Sequence, residues 1–113
     1  MTNQLLRRAL PLAATAMLVL SAAPRAALAA DTAVTINNFA FAPALLTVAP
    51  GTKVVWTNRD EEPHTVLSAD GGATFKSPAL DTDDKFSFTF DKPGTYKFFC
   101  SIHPHMSGTI VVK

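Results

Sequence analysis

Lys85-Phe86-Ser87-Phe88-Thr89-Phe90-Asp91 alternates polar and aromatic residues without a break. A strand sends successive side chains to opposite faces, so this segment reads as a β-strand with its three phenylalanines on one buried face. Working outward, Val34–Asn37, Leu46–Val48, Lys53–Asn58, His64–Ser68, Thr95–Cys100 and Thr109–Lys113 are further short β-prone runs. Turn-forming clusters separate them: Ala49-Pro50-Gly51, Asp70-Gly71-Gly72 and Lys92-Pro93-Gly94. Neither a helical period nor an internal repeat interrupts the pattern, and no linker marks a second domain. An all-β fold follows, a Greek-key β-sandwich or barrel of antiparallel strands. Eight Phe with Trp56 and Tyr96 are expected to supply much of its core.

The N-terminal stretch has a different character. Arg7 and Arg8 precede an apolar run of 15 residues, Ala9 to Ala23, and Ala27-Leu28-Ala29 offers a small-x-small cleavage site. The run is interrupted by Pro11, Thr15 and Ser21, and is shorter than the ~20 apolar residues of a spanning helix. Residues 1–29 therefore read as a cleavable signal peptide, and residues 30–113 as the domain it exports, with the periplasm as the expected destination and no membrane anchor. The Arg7-Arg8 pair leaves both the general secretory and the twin-arginine route open. Loss of Arg7, Arg8 and Arg25 leaves seven basic residues against nine acidic ones, a net charge of −2. That balance excludes the dense basic face of a nucleic-acid binder.

Cysteine usage narrows the function. Exported proteins pair their cysteines, yet this chain has only Cys100. A lone thiol in an oxidising compartment calls for an occupant, and a metal is one. Around it stands Cys100-Ser101-Ile102-His103-Pro104-His105-Met106-Ser107-Gly108, and beyond the signal Met106 is the sole methionine. The third histidine, His64, follows Pro63 and lies 36 residues before Cys100. A thiolate, two imidazoles and a thioether suit copper moving between Cu(I) and Cu(II). A structural zinc site would be expected to carry Cys₄ or Cys₂His₂ instead. If Thr95–Cys100 is a strand, Tyr96, Phe98 and Cys100 share its inward face, and the following loop can fold His103 and Met106 over the thiol. Pro63 and Pro104 stiffen both approaches, as an electron carrier requires.

His64 followed by Cys100-x-x-His103-x-x-Met106-x-Gly108 resembles the cupredoxin, or blue copper, family. The short spacing on both sides of His103 is similar to the amicyanin-like branch, whose ligand loop is shorter than that of plastocyanin-like members. Val54-Val55-Trp56-Thr57-Asn58, Pro63-His64-Thr65-Val66 and Gly94-Thr95-Tyr96 fit as well. The resemblance implies one type 1 copper ion at one pole of the sandwich, with His64, Cys100 and His103 as equatorial ligands and Met106 as a long axial one. It also implies that Asn58 and Thr65 brace the Cys100 loop through hydrogen bonds. Many relatives carry Asn where Thr65 stands, so a weaker brace is expected there.

The implied function is electron transfer through the exposed edge of His103. Redox partner proteins would dock nearby: a dehydrogenase or cytochrome as donor, a cytochrome c or oxidase-type protein as acceptor. The carrier itself is expected to be a monomer. His105 is expected as an exposed imidazole beside the site, and Phe99 as a docking aromatic or as edge packing. Asp60-Glu61-Glu62, near His64, is a candidate for steering a cationic partner. The alternative is a periplasmic copper delivery protein using the same ligands, although one Met on a proline-stiffened loop favours retention over exchange. Catalysis is not expected: no orienting residue accompanies Cys100, and three histidines cannot also build a second copper centre.

Overall fold

The computed structural model describes residues 31–113, so the expected signal peptide lies outside the described residues. Eight strands follow one another: β1 Thr32–Asn37, β2 Ala40–Ala42, β3 Leu45–Val48, β4 Thr52–Asn58, β5 Leu67–Ser68, β6 Lys85–Phe90, β7 Gly94–Phe99 and β8 Ser107–Val112. They form two four-stranded sheets, ordered β2-β1-β4-β6 and β3-β8-β7-β5. Among the described residues no helix is long and apolar enough to cross a membrane.

The alternation that predicts the strands also sets their faces. In β4 the inward series is Thr52, Val54, Trp56 and Asn58, all buried. Phe86, Phe88 and Phe90 of β6 turn the same way, and Phe90 is fully enclosed. Trp56 sits at the centre, with ring centroids 5.5–6.3 Å from Phe75, Phe86, Phe90 and Phe98. Burial of rings on this scale contributes roughly 1.5–3 kcal/mol each. Beside it, the distal end of the Phe98 ring lies over Gly108, its register partner on β8. A Cβ at Gly108 would fall 2.3 Å from that ring, so only glycine fits.

Three features depart from the expected arrangement. The sheets are mixed, because β1 pairs with β4 and β3 with β8 in parallel. Each parallel pair joins strands whose connection passes through the other sheet, a long-range choice that local pattern does not encode. β2, only three residues long, is an edge strand with a single inward residue, Phe41. The expected run His64–Ser68 is a strand only at Leu67–Ser68, while His64 makes an isolated bridge to Leu80.

Candidate metal centre

The inward face of β4 ends in a polar residue, Asn58, and there the core gives way to a polar pole. Asn58 donates from Nδ2 to the carbonyls of Glu62, at 2.9 Å, and Leu80, at 2.8 Å, and accepts from the Asp60 amide at 2.9 Å. These bonds shape the Asp60–His64 loop. The expected brace on the Cys100 loop is therefore half corrected: Asn58 holds the histidine-bearing loop instead, because its position on β4 faces that segment. The bridge to Leu80 then fixes His64 from both backbone atoms, at 3.1 and 2.7 Å.

Cys100 is the first residue past β7 and lies on the inward face shared with Phe98, as its spacing predicts. Its amide donates to the Met106 carbonyl at 3.0 Å, and the Met106 amide donates to the His103 carbonyl at 2.9 Å. The loop between β7 and β8 is thus closed on itself. Cys100, His64 and Met106 are buried, while His103 is half-buried. One ligand atom each from His64, Cys100 and His103 lie within 4.8 Å of one another.

The donor atoms themselves point to a cation. Cys100 Sγ stands 3.9 Å from His64 Nδ1. On the other ring, His103 Nδ1 is buried without any hydrogen-bond partner, a costly arrangement unless its lone pair serves a metal. A thiol beside two imidazole nitrogens is a set that soft and borderline metals accept.

Electrostatics favour the ligand forms. Burial pushes the Cys100 thiol up, but it is outweighed by the amides of Thr65 and His103, the His64 side chain and the Thr65 hydroxyl, which bring the thiol down to about 6. The Thr65 amide lies 3.4 Å from Sγ and its hydroxyl 3.7 Å. Thr65 also accepts from the Ser101 amide at 2.8 Å, with the two hydroxyls 2.8 Å apart. The shorter side chain thus still ties the cysteine loop to the histidine loop.

Asp60 was placed by the sequence among exposed steering charges, and the structure corrects this. Its side chain is only 10% exposed, with Oδ2 at 2.8 Å from His64 Nε2. Burial opposes its ionisation, yet the amides of Phe39 and Asn38, together with His64, hold its carboxyl below the usual value. An ionised carboxylate can only accept, so the hydrogen of this bond sits on Nε2, which leaves Nδ1, on the Cys100 side, as the nitrogen that would face a metal. The available signal was the position of a carboxylate four residues before a candidate ligand. Phe39 was also missed: its ring packs edge-on to both His64, at 5.3 Å, and His103, at 5.1 Å. Nothing in its local sequence marks it, since the turn between β1 and β2 lies 25 residues from His64.

His105 is exposed, its ring 6.4 Å from that of His103 and outside the three-residue cluster. Phe99 is half-buried and stands opposite Leu67 and Ser107 in the strand register.

Comparison with known proteins adds an independent line. The family profile of the cupredoxin-like domain matches residues 10–112. Amicyanin-alpha of Methylorubrum extorquens is 35% identical over 88 residues, covering 75% of this chain and 74% of that protein. Amicyanin of Paracoccus denitrificans is 38% identical over 71 residues, which is 60% of this chain and 54% of the relative. Among solved structures, a purple cupredoxin from Nitrosopumilus maritimus superposes with a TM-score of 0.68 at 35% identity, over 74% of this chain and all of that one. A copper-containing nitrite reductase from Thermus scotoductus gives 0.68 at 32% identity, over 74% of this chain but only 22% of its own.

Proposed function

The chain belongs to the cupredoxin-like family, and from that membership we propose that it is an exported electron carrier with His64, Cys100, His103 and Met106 as ligands of one type 1 copper. The observation that carries this reading is the inward-facing trio of a low-lying thiol and two imidazoles, one of which has a buried, unpartnered Nδ1. Copper held there supplies one-electron exchange between its two oxidation states. The chain's own part is to keep the ligands still. Asp60 sets the tautomer of His64, Thr65 fixes the thiolate, and the Cys100–Met106 backbone bonds close the loop. A donor set that does not rearrange adds little to the barrier for electron transfer.

Electrons would pass through the half-buried His103. Around it Phe39 is 42% exposed and Ile102 46%, with Pro104 and His105 also at the surface. This apolar rim suits brief docking of redox partner proteins, a dehydrogenase or cytochrome on one side and a cytochrome c or oxidase-type acceptor on the other. The nitrite reductase likeness spans about a fifth of that enzyme. We read the present chain as a carrier without an enzymatic activity of its own.

The test is a visible spectrum of the exported protein with one equivalent of Cu(II), before and after ascorbate. An intense thiolate-to-copper absorption that bleaches and returns on reoxidation is expected, and Cys100→Ser should abolish it. A C100S protein that keeps the band would remove Cys100 from the site. Transfer of copper to a chelator within seconds would instead favour the delivery reading.

A further inference from the structure

We infer that Asp60 and the turn between β1 and β2 form one bracket that positions both imidazoles, Asp60 acting on His64 directly and on His103 through the Phe39 ring. The functional meaning of the bracket rests on the copper reading above; its geometry does not.

His64 and His103 come from separate loops, 39 residues apart in the chain. Their rings stand 5.2 Å apart, and Phe39 completes a triangle, edge-on to each at interplanar angles of 90° and 85°. Phe39 is an odd residue to find there. Its φ is +58°, and that of Asn38 is +52°, a region that residues with a Cβ avoid. Nor does core burial offset the strain, because the ring is 42% exposed.

The turn is held by Asp60. Oδ1 accepts the Asn38 amide at 2.6 Å, and Oδ2 accepts the Phe39 amide at 2.9 Å. Oδ2 also accepts His64 Nε2, at 2.8 Å. Asp60 is itself pinned, its amide to Asn58 Oδ1 at 2.9 Å and its carbonyl to Thr82 Oγ1 at 2.7 Å. One carboxylate therefore grips one imidazole and, through two strained residues, aims a ring at the other. Carboxylates that accept several backbone N–H bonds are rigid anchors. Residual strain in the turn is the kind stored where a side chain must be held in place. Asp60 and Phe39 are positioning residues, neither being a ligand.

The bracket predicts an asymmetry between variants, read by NMR on the metal-free and the Cu(I)-loaded protein. Phe39→Ala should keep the protected His64 Nε2–H resonance while broadening or shifting the His103 ring signals. It should also speed copper release to a chelator roughly two- to tenfold, the range for losing an edge-to-face aromatic pair. Phe39→Tyr should restore both. Asp60→Ala, which removes both acceptor oxygens, should lose the protected His64 Nε2–H signal and, in addition, the close contacts between the Phe39 and His103 rings. If D60A keeps the Phe39–His103 contacts, or if F39A leaves His103 and the release rate unchanged, the bracket is wrong. Should D60A fail to fold, the F39A and F39Y pair decides, since that ring is exposed. The metal-free spectra decide the geometry even if the wild-type chain shows no thiolate–copper absorption, an outcome that would overturn only the copper reading.

Discussion

At the residue scale, Cys100 shows how a side chain is prepared by its neighbours. Burial alone would keep the thiol protonated, but donors gathered from two loops more than offset it, bringing the thiol to about 6. Because the folded value lies below the unfolded thiol value of about 8.5, the stabilisation is fully present above that pH. It is lost as pH falls from there through about 6. Thiolate ultraviolet absorption of the metal-free protein should titrate in that lower range. Thr65→Val removes the hydroxyl while keeping the amide donor, so the inflection should move upward. The same change deprives the Ser101 amide of its 2.8 Å acceptor and should cost about 1 kcal/mol in denaturant unfolding. An unmoved inflection would show that the hydroxyl is idle. The Cys, His and Met pattern was legible in the sequence because each ligand type carries its own chemistry. Asp60 was misread because a carboxylate in a charged run looks solvated until the fold turns it inward.

At the scale of elements, the loop between β7 and β8 depends on how closely those strands approach. Gly108 lets the Phe98 ring cross β8, and Phe98 in turn packs against Phe41 and Trp56, at 4.8 and 5.5 Å. A methyl group at position 108 would overlap that ring, so Gly108→Ala should destabilise the protein by roughly 1–3 kcal/mol. Phe98 lies two residues before Cys100, so displacement of its ring should also perturb the thiolate–copper absorption. Equilibrium unfolding with a parallel visible spectrum checks both effects, and an unchanged midpoint would mean that the ring moves aside freely. Strand positions were largely readable, since period-two alternation survives in β4 and β6. β2 was not, because three residues with one inward Phe41 carry too little pattern.

For the whole molecule, every residue of the described core lies between Val34 and Val112. The family profile, by contrast, begins at residue 10. We propose cleavage after Ala29, and the mass of the exported protein should match a chain starting at Ala30. Residues 30–113 carry a net charge of −2. Arg59 pairs with Asp83, and Asp60 faces inward, so Glu61 and Glu62 are the exposed carboxylates closest to His64 in the chain.

By itself the sequence determined that the chain is all-β, and it showed a set of soft-metal donors, His64, Cys100, His103 and Met106, as the candidate site. These are properties of local alternation and side-chain chemistry, which do not depend on distant partners. Only the tertiary structure decided the parallel pairings of β1 with β4 and β3 with β8, the aim of Asn58, and the inward turn of Asp60. It alone placed Phe39 against two histidines far away in the chain. Each of these depends on where the chain returns after a long excursion, and the free energy that selects the return is summed over the whole core rather than carried by any short segment.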